Sequence, residues 1–504
     1  MNSRAKFLFA TAWIPLAVAS ADQVMLPTGV RSPQASPYNV FGGDVALATP
    51  TACAVGVRGA DGSASNQGAV DCFELKVDGW TFIERLQPID LAAGDQFGES
   101  IAADANWLVV SGTRHDASGV DSGAVWVYRR EAGLWRFPQR LIPGMGSDGA
   151  RFGSAVAVSG GRLAVGAPLG GVAGTVSVYK LVGTDWQLEQ TILNPTPAQG
   201  DRFGDSIALE GDRLLIGAPF DDEGAIDRGA VHTYSSNGRS WQLQSTLLPM
   251  STSDRQYFGR SIAIRNTRAA IGANGADALD GTSASGMVEV YDFVGASWSR
   301  SGELRPETAV AGGHFGWDVA IEAETIVVGE PGYGTATSPA LIGRARVFAR
   351  QPSSQWIPVT SILALEPAAN DLFGASVAFA SGRLVVSAPG RLGQEGAVMS
   401  INLGADCDQN QVSDVLQIAG DATLDCNGDL VLDLCQPDTD ADGTPNACEC
   451  SSDLNGDGVV SSADLAFILT EWGNYGQGPA DINRDLGVDA QDIAEFLSNW
   501  GLCQ

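Results

Sequence analysis

Two stretches near the C-terminus carry oxygen-bearing residues at alternating positions, which is the spacing of a calcium loop. In each stretch, oxygen ligands stand at positions 1, 3, 5, 9 and 12, and position 7 offers its main-chain carbonyl. The first set is Asp453, Asn455, Asp457, Val459, Ser461 and Asp464. The second set is Asp481, Asn483, Asp485, Gly487, Asp489 and Asp492. Carboxylates spaced in this way converge on one hard cation, so both stretches predict Ca²⁺ binding.

The two loops differ at the residue that makes the sharp turn. Gly458 stands there in the first loop and Leu486 in the second. A residue other than glycine at positive φ costs roughly 1 kcal/mol, so we expect weaker binding in the second loop. A short helix that ends in Trp-Gly is expected after each loop.

The segment 406–450 is acidic and punctuated by cysteines. Its best-formed cation loop contains Asp438, Asp440 and Asp442, followed by a glycine. The segment resembles thrombospondin type 3 calcium repeats, and the alternative is an acidic linker stiffened by disulfides. Four cysteines within it, at 407, 426, 435 and 448, allow three pairings, which the sequence leaves open. Cys450 and Cys503 bracket the paired loops and are predicted to close that module with a disulfide.

Residues 451–504, with two loop–helix units, resemble a dockerin domain. The resemblance implies a small α-helical module that attaches a secreted protein to a cohesin-bearing scaffold. The alternative hypothesis is that the tail is a C-terminal sorting or attachment signal that binds an envelope receptor. The basic residues that often follow the first loop in cellulosomal dockerins are absent from this sequence.

The chain before this tail is built from a phrase that recurs seven times, every 51–58 residues. Phe-Gly is followed by a valine-rich strand ending in Gly-Ala-Pro or a near copy, and then by Gly-x-Val-x-x-aromatic. A fourth strand opens on a tryptophan in six repeats. Repetition at such a period indicates a radial array, and we predict a mainly β fold over residues 22–405, a seven-bladed β-propeller of four-stranded blades. The seven phrases begin at Phe41, Phe97, Phe152, Phe203, Phe258, Phe315 and Phe373.

The last repeat reaches Cys407 before a fourth strand can form. Residues 23–27 resemble the ends of the other fourth strands, so we predict that this N-terminal segment completes the last blade. In the first repeat, Cys53 and Cys72 fall on adjacent strands, and we predict a disulfide between them.

The phrases resemble the FG-GAP repeats of integrin α-chain propellers and of secreted bacterial proteins. Integrin-type blades carry calcium loops between strands 1 and 2, but those links are short here, so no calcium is expected on the blades. The repeated Phe is expected to pack between blades. Length varies in the loops between strands 2 and 3 and before each Phe-Gly, and these loops share one face, which we predict to be the binding surface. Turn capping is the expected role of the acidic residues on that face: Asp95, Asp116, Asp121, Asp201, Asp221, Asp222, Glu223, Asp227, Asp254, Asp277, Asp280 and Asp371.

The net charge of −29 argues against nucleic acid as a partner. Residues 404–504 carry −19 of it, from 17 Asp, 3 Glu and one Arg. Residues 1–21 have the pattern of a signal peptide, with Arg4, Lys6, an apolar run and a small-residue cleavage site. We therefore expect a secreted, monomeric mature chain without a membrane span.

These features predict a non-enzymatic protein, since the sequence has three histidines and no recognised catalytic motif. Its propeller would bind an extracellular protein or glycan, and its tail would attach it to a cell-surface scaffold. Two alternatives stay open. One is a polysaccharide-degrading enzyme, a glycoside hydrolase or lyase, delivered by the dockerin-like domain. The other is a structural protein of the cell envelope.

Overall fold

The computed structural model describes residues 28–34, 39–76, 79–144, 147–334, 341–351, 353–364 and 367–404, and short stretches between 414 and 502. The chain divides into two compact units, Met1–Ala405 and Asp406–Gln504. The predicted signal peptide, residues 1–21, lies outside the described residues.

The first unit is a seven-bladed β-propeller, which confirms the predicted fold. Each blade is an antiparallel sheet of four strands in sequential order, apart from the last. Blades 1 to 3 have the strands Phe41–Thr49, Ala52–Val57, Ala69–Lys76 and Gly79–Leu86; Ile101–Ala103, Trp107–Gly112, Ala124–Glu131 and Leu134–Leu141; Val156–Ser159, Arg162–Ala167, Thr175–Val182 and Asp185–Leu193.

Blades 4 to 7 repeat this arrangement around the ring. Their strands are Ser206–Glu210, Arg213–Ala218, Ala230–Ser236 and Trp241–Leu247; Phe258–Arg265, Arg268–Ala273, Met287–Val294 and Ser297–Leu304; Val319–Glu322, Thr325–Glu330, Arg344–Arg350 and Trp356–Ile362; Val377–Ala380, Arg383–Ala388, Ala397–Asn402 and Thr28–Val30. A one-turn α-helix, Arg391–Gln394, lies between the second and third sequential strands of blade 7. First strands of neighbouring blades contact one another, so they surround the axis.

Strand position within a blade explains its composition. The second strand of blade 3, Arg162–Ala167, is buried at every position after its first, because it lies inside its own sheet and between blades. The fourth strand, Asp185–Leu193, is mostly exposed and buries only Trp186 and Ile192, as expected at an outer edge.

The repeated phenylalanine fills the space between consecutive blades. All seven side chains are at most 1 % exposed. Phe203, for example, packs against Val176 and Val178 of the preceding blade as well as against its own sheet. Blade contact is close enough that a Cβ on Gly166 would lie 2.0 Å from the carbonyl oxygen of Gly204, so glycine is required there.

An N-terminal strand closes the ring, as predicted, and its described residues directly follow the predicted segment. Thr28–Val30 pairs antiparallel with the third strand of blade 7, with Thr28 opposite Ser400 and Val30 opposite Val398. The predicted segment 23–27 lies outside the described residues. Beyond the strand, Ser32 donates a hydrogen bond of 2.7 Å to Asp71, which also pairs with Arg85 in blade 1.

The predicted disulfide between Cys53 and Cys72 is wrong, since both thiols are free and buried. The strands are adjacent, but Cys53 lies opposite Phe73 and Cys72 lies opposite Ala54. This one-residue offset directs the two sulfurs to opposite faces of the sheet. Cys53 packs in the core shared with blade 7, and Cys72 in the core shared with blade 2.

The described part of the second unit includes the helices Ser462–Glu471 and Ala490–Ser498 and a two-stranded ribbon of Val459–Val460 with Gly501–Leu502. Its core includes Val460, Ile468 and Phe496. Two short 3₁₀ helices, Ala422–Leu424 and Asp433–Cys435, precede it. Cys407, Cys426, Cys448, Cys450 and Cys503 lie outside the described residues. Among the described helices, none has the length and apolar character needed to cross a bilayer.

Candidate functional site

The loops between the second and third strands are shaped by their own carboxylates. In blades 2 and 4, Asp116 and Asp222 each accept a hydrogen bond of 2.8 Å from the amide five residues later, at Asp121 and Asp227. Both amides belong to residues with φ of 49°. The side chain therefore holds the loop closed around a left-handed residue, which matches the predicted turn-capping role.

Three more of the predicted carboxylates in these loops also accept main-chain amides. Asp277 accepts from the Ala284 amide at 2.9 Å, and Asp280 accepts from the Thr282 amide at 2.9 Å. Asp221 accepts from the Glu223 amide at 2.8 Å. Burial raises the pKa of Asp221, as it does for Asp201 on the neighbouring loop.

The acidic residues before Phe-Gly also cap turns. Asp95, Asp201 and Asp371 each accept from the amide three residues upstream, at 2.7–2.8 Å. Asp254 instead accepts from the Ile226 amide at 3.0 Å and so joins two neighbouring loops of the face. The predicted face is therefore built from braced loops.

Large apolar side chains stand exposed at the tips of these loops. Val120, Ile226 and Leu279 are 68 %, 56 % and 88 % exposed on the loops between strands 2 and 3. Ile89 and Met250 are exposed on the loops that lead to the next blade. Because the strands are antiparallel, both sets of loops emerge on one side of the propeller, hereafter the loop face.

The three histidines have structural partners. His115 is hydrogen-bonded through Nδ1 to Asp95 at 2.8 Å, and His314 Nδ1 donates to the Asn274 carbonyl at 3.1 Å. His232 is buried beside Phe203, and burial lowers its pKa to about 4.

Three residues near the propeller axis were missed by sequence reasoning. Asp44, Ser376 and Asp318 occupy the third position after Phe in blades 1, 7 and 6. The Ser376 hydroxyl donates to Asp44 at 2.9 Å, and Asp44 accepts from the amide of Ile101 in blade 2 at 2.7 Å. Asp318 accepts from the amide of Val377 in blade 7 at 2.8 Å. Alignment of the seven phrases at this position would have drawn attention to them.

These axial carboxylates have raised pKa values. Burial raises the pKa of Asp44 to about 7, and the nearby negative charge of Asp318 adds to the shift. Burial raises the pKa of Asp318 to about 6. Their oxygens are occupied by main-chain amides of the next blade, so they join blades to one another.

In the second unit, the structure describes the last positions of both predicted calcium loops. Ser461 caps the first helix by accepting from the Ala463 amide at 3.1 Å, and Asp464 accepts from the Ser461 amide at 2.9 Å. Asp492 likewise accepts from the Asp489 amide at 2.8 Å. Asp464 and Asp492 are fully buried carboxylates at the first turn of a helix.

The other predicted ligands lie outside the described residues, and Val459 lies in the ribbon. No cluster of three metal-binding side chains occurs within the described part of the chain. The undescribed ligand positions are Asp438, Asp440, Asp442, Asp453, Asn455, Asp457, Asp481, Asn483, Asp485 and Gly487.

Comparison with known families covers both units. Residues 80–128, 135–179, 186–234 and 241–291 match the FG-GAP repeat, and residues 451–497 match the dockerin type I domain. The chain carries FG-GAP repeats and a dockerin type I domain. Each FG-GAP match begins at a fourth-strand tryptophan such as Trp80 and ends on the third strand of the next blade, as at Tyr128. The matches therefore run from the fourth strand of blade 1 to the third strand of blade 5.

An FG-GAP propeller joined to a dockerin domain indicates an extracellular or cell-surface, dockerin-bearing protein. Among solved structures, the chain is similar to one titled "Crystal Structure of Mitotic Checkpoint Complex", with 11 % identity and a TM-score of 0.46. That similarity covers 80 % of this chain and 99 % of the other. No curated protein matches the sequence.

Proposed function

We propose that this protein is a non-enzymatic recognition protein whose loop face binds an extracellular protein or glycan. Its dockerin domain attaches it to a cohesin-bearing scaffold or an envelope receptor. The observation that carries the proposal is the set of braced loops with exposed aliphatic tips, at Val120, Ile226 and Leu279. Apolar groups exposed on one face gain free energy when a partner covers them and removes their surface from water.

Bracing of the loops supports tight recognition. A loop already held in one conformation loses less entropy when a partner binds. The carboxylates at Asp116 and Asp222 accept main-chain amides, so their first role is to hold the loops in shape. Aliphatic tips favour a protein over a glycan as the ligand, because their surface gains by desolvation.

The dockerin domain supports the attachment role, since dockerin type I domains typically bind calcium and cohesin partners. The buried carboxylates of Asp464 and Asp492 fit this assignment, because a fully buried carboxylate needs a compensating charge or hydrogen bonds. With Ser461 and Asp489 they would hold Ca²⁺ together with the earlier loop positions. The ion would supply the positive charge that ties each loop to the following helix. Ser461 and Asp464 already join the loop end to its helix without it.

The loop face can be tested with the full-length protein. Immobilised protein is exposed to extracellular protein fractions and to a panel of polysaccharides, and retained partner and released sugar are recorded together. The test variant combines Val120→Ser, Ile226→Ser and Leu279→Ser. The matched control, Val182→Ser, Leu188→Ser and Val294→Ser, removes exposed aliphatic groups from the third and fourth strands instead.

Retention that falls about tenfold or more in the test variant and stays unchanged in the control supports the proposal. Equal retention by both variants would contradict the loop face as the binding surface. Released sugar would instead indicate the alternative function, a polysaccharide-degrading enzyme.

A further inference from the structure

The same contact occurs at three successive interfaces between blades, which we call seams. Arg162, Arg213 and Arg268 begin the second strands of blades 3, 4 and 5. Each donates a hydrogen bond to the carbonyl of the same turn position in the next blade, at Gly211 (3.2 Å), Asn266 (2.7 Å) and Ala323 (3.0 Å).

Two of these arginines are neutralised. Arg162 pairs with Asp212 at 2.5 Å and lies over Trp241 at 5.2 Å. Arg268 pairs with Asp292 at 2.8 Å and lies over Trp356 at 5.4 Å. Their guanidinium groups therefore fill the space beside the tryptophan of the next blade.

Arg213 differs because the positions that supply acidic partners to Arg162 and Arg268 hold uncharged residues around it. Ser235 lies opposite Arg213 in the sheet, where Asp292 lies opposite Arg268. Thr267 stands in the turn position that Asp212 holds for Arg162. Among the described residues, Arg213 forms no ion pair, and it lies over Phe293 at 4.6 Å instead of over Trp298.

Beside Arg213 lies a cavity of about 430 Å³ between blades 4 and 5. Arg213, Ser235 and Gln244 line it from blade 4, and Phe293 and Trp298 line it from blade 5. Glu210 and Asp212 also line the cavity. Asp212 pairs with Arg162, whereas Glu210 Oε2 is buried without a hydrogen-bond partner. Glu210 Oε1 lies 3.8 Å from Arg265.

We propose that this seam cavity binds a carboxylated sugar of the uronic acid class. The Arg213 guanidinium would pair with the sugar carboxylate, for which its planar fork is suited. The unpartnered Glu210 oxygen would accept a sugar hydroxyl, and Gln244 would bind another. A neutral sugar would leave Arg213 without its counter-charge, and a simple inorganic anion would leave Glu210 unsatisfied. The volume lies within the range of small-molecule sites.

The seam cavity is separate from the loop face. It is lined by the turns between strands 1 and 2, which lie at the opposite ends of the strands. The inference is therefore independent of what the loop face binds, and failure of one leaves the other standing.

The test titrates the full-length protein with glucuronate, galacturonate and their trisaccharides, beside glucose and galactose, by calorimetry. We expect the acidic sugars to bind at least tenfold more tightly than the neutral ones, and Arg213→Gln to remove this preference. Arg239→Gln takes one exposed positive charge from the same blade and should leave affinity unchanged. Tighter binding of the trisaccharides than of the monosaccharides would assign the site to a polymer.

A second variant tests the cavity in case Arg213→Gln fails to fold. Gln244→Trp fills the cavity from an exposed position and should abolish uronate binding while circular dichroism stays unchanged. Equal affinity for acidic and neutral sugars, retained affinity in both cavity variants, or no binding of any uronate would each overturn the proposal.

Discussion

Phe41 and Gly396 form a parallel bridge that joins the first blade to the last. The Phe41 amide donates to the Glu395 carbonyl at 3.1 Å, and a Cβ on Gly396 would lie 1.9 Å from the Phe41 carbonyl oxygen. The same contact recurs as Gly68 with Phe97 and Gly343 with Phe373. The ring is thus closed by the contact that also joins its other blades.

The first prediction concerns Gly396. Gly396→Ala should lower the free energy of unfolding by about 3 kcal/mol or more, because the main chain must move to avoid the clash. Gly393→Ala is the matched control: its φ is also positive, at 72°, but no atom lies within 4 Å of a Cβ there. The control should cost roughly 1 kcal/mol from the backbone conformation alone. Equal losses in urea unfolding would show that blade contact is not the cause.

The second prediction concerns pH. Asp318 has a pKa raised from 3.8 to about 6 by burial, so its contribution to stability is present below about pH 4 and is lost as pH rises through about 6. Asp318→Asn cannot ionise and also removes the charge that raises the pKa of Asp44. The variant loses one amide hydrogen bond at every pH. Its stability relative to wild type should therefore rise by on the order of 2 kcal/mol between pH 4 and 7.

Urea unfolding at half-unit pH steps measures this difference. Asp185→Asn, at an exposed position on blade 3, should follow the wild-type curve at all pH values. Parallel curves for Asp318→Asn and wild type would contradict a raised pKa at the axis.

The third prediction concerns the closing strand. A full-length protein truncated to begin at Thr28 should keep its unfolding temperature, because Thr28–Val30 still pairs with blade 7. Truncation to Ala35 removes that strand and the bond from Ser32 to Asp71, and exposes a sheet edge. We expect a fall of several degrees and more aggregation on heating. Unchanged melting of the shorter protein would reject the closure.

The fourth prediction concerns the dockerin domain. Asp464→Asn keeps an acceptor for the Ser461 amide but removes the charge, so Ca²⁺ affinity should fall at least tenfold. Asp492→Asn should have a smaller effect, since we expect Leu486 at the turn position to make the second loop the weaker site. Thr470→Ala, on the exposed side of the first helix, is the control. Calcium titration by calorimetry measures all three.

A chelator should lower helix content in the dockerin unit and leave propeller unfolding unchanged. A lower unfolding temperature of the propeller in the presence of the chelator would contradict this.

The sequence predicted the features that repetition makes visible. Phe203 and its six equivalents, and Trp241 with its equivalents, mark strands and blade contacts because every blade faces the same packing problem. The helix after each acidic loop was also predicted, and Ser461 and Asp464 cap the first of these helices within one turn of chain.

Features that depend on a single register or a single seam escaped prediction. Cys53 and Cys72 lie on adjacent strands, but the pairing of Cys53 with Phe73 decides that they face apart. Asp44 and Asp318 stand where the other repeats carry Ser or Ala, so only an alignment of the seven phrases draws attention to them. The lone charge of Arg213 is visible only when the partners of Arg162 and Arg268 are known.

The pairing of Thr28–Val30 with Ala397–Asn402 has a consequence for biosynthesis. Translation produces the outer strand of blade 7 before any other part of the propeller and its partner strand after almost all of it. The first strand made must remain unpaired while six blades are synthesised. Pairing of the most distant segments then completes the ring, and contacts of such sequence separation form slowly. The main-chain hydrogen-bonding groups of Thr28–Val30 therefore stay free to pair with other strands until the last blade is made.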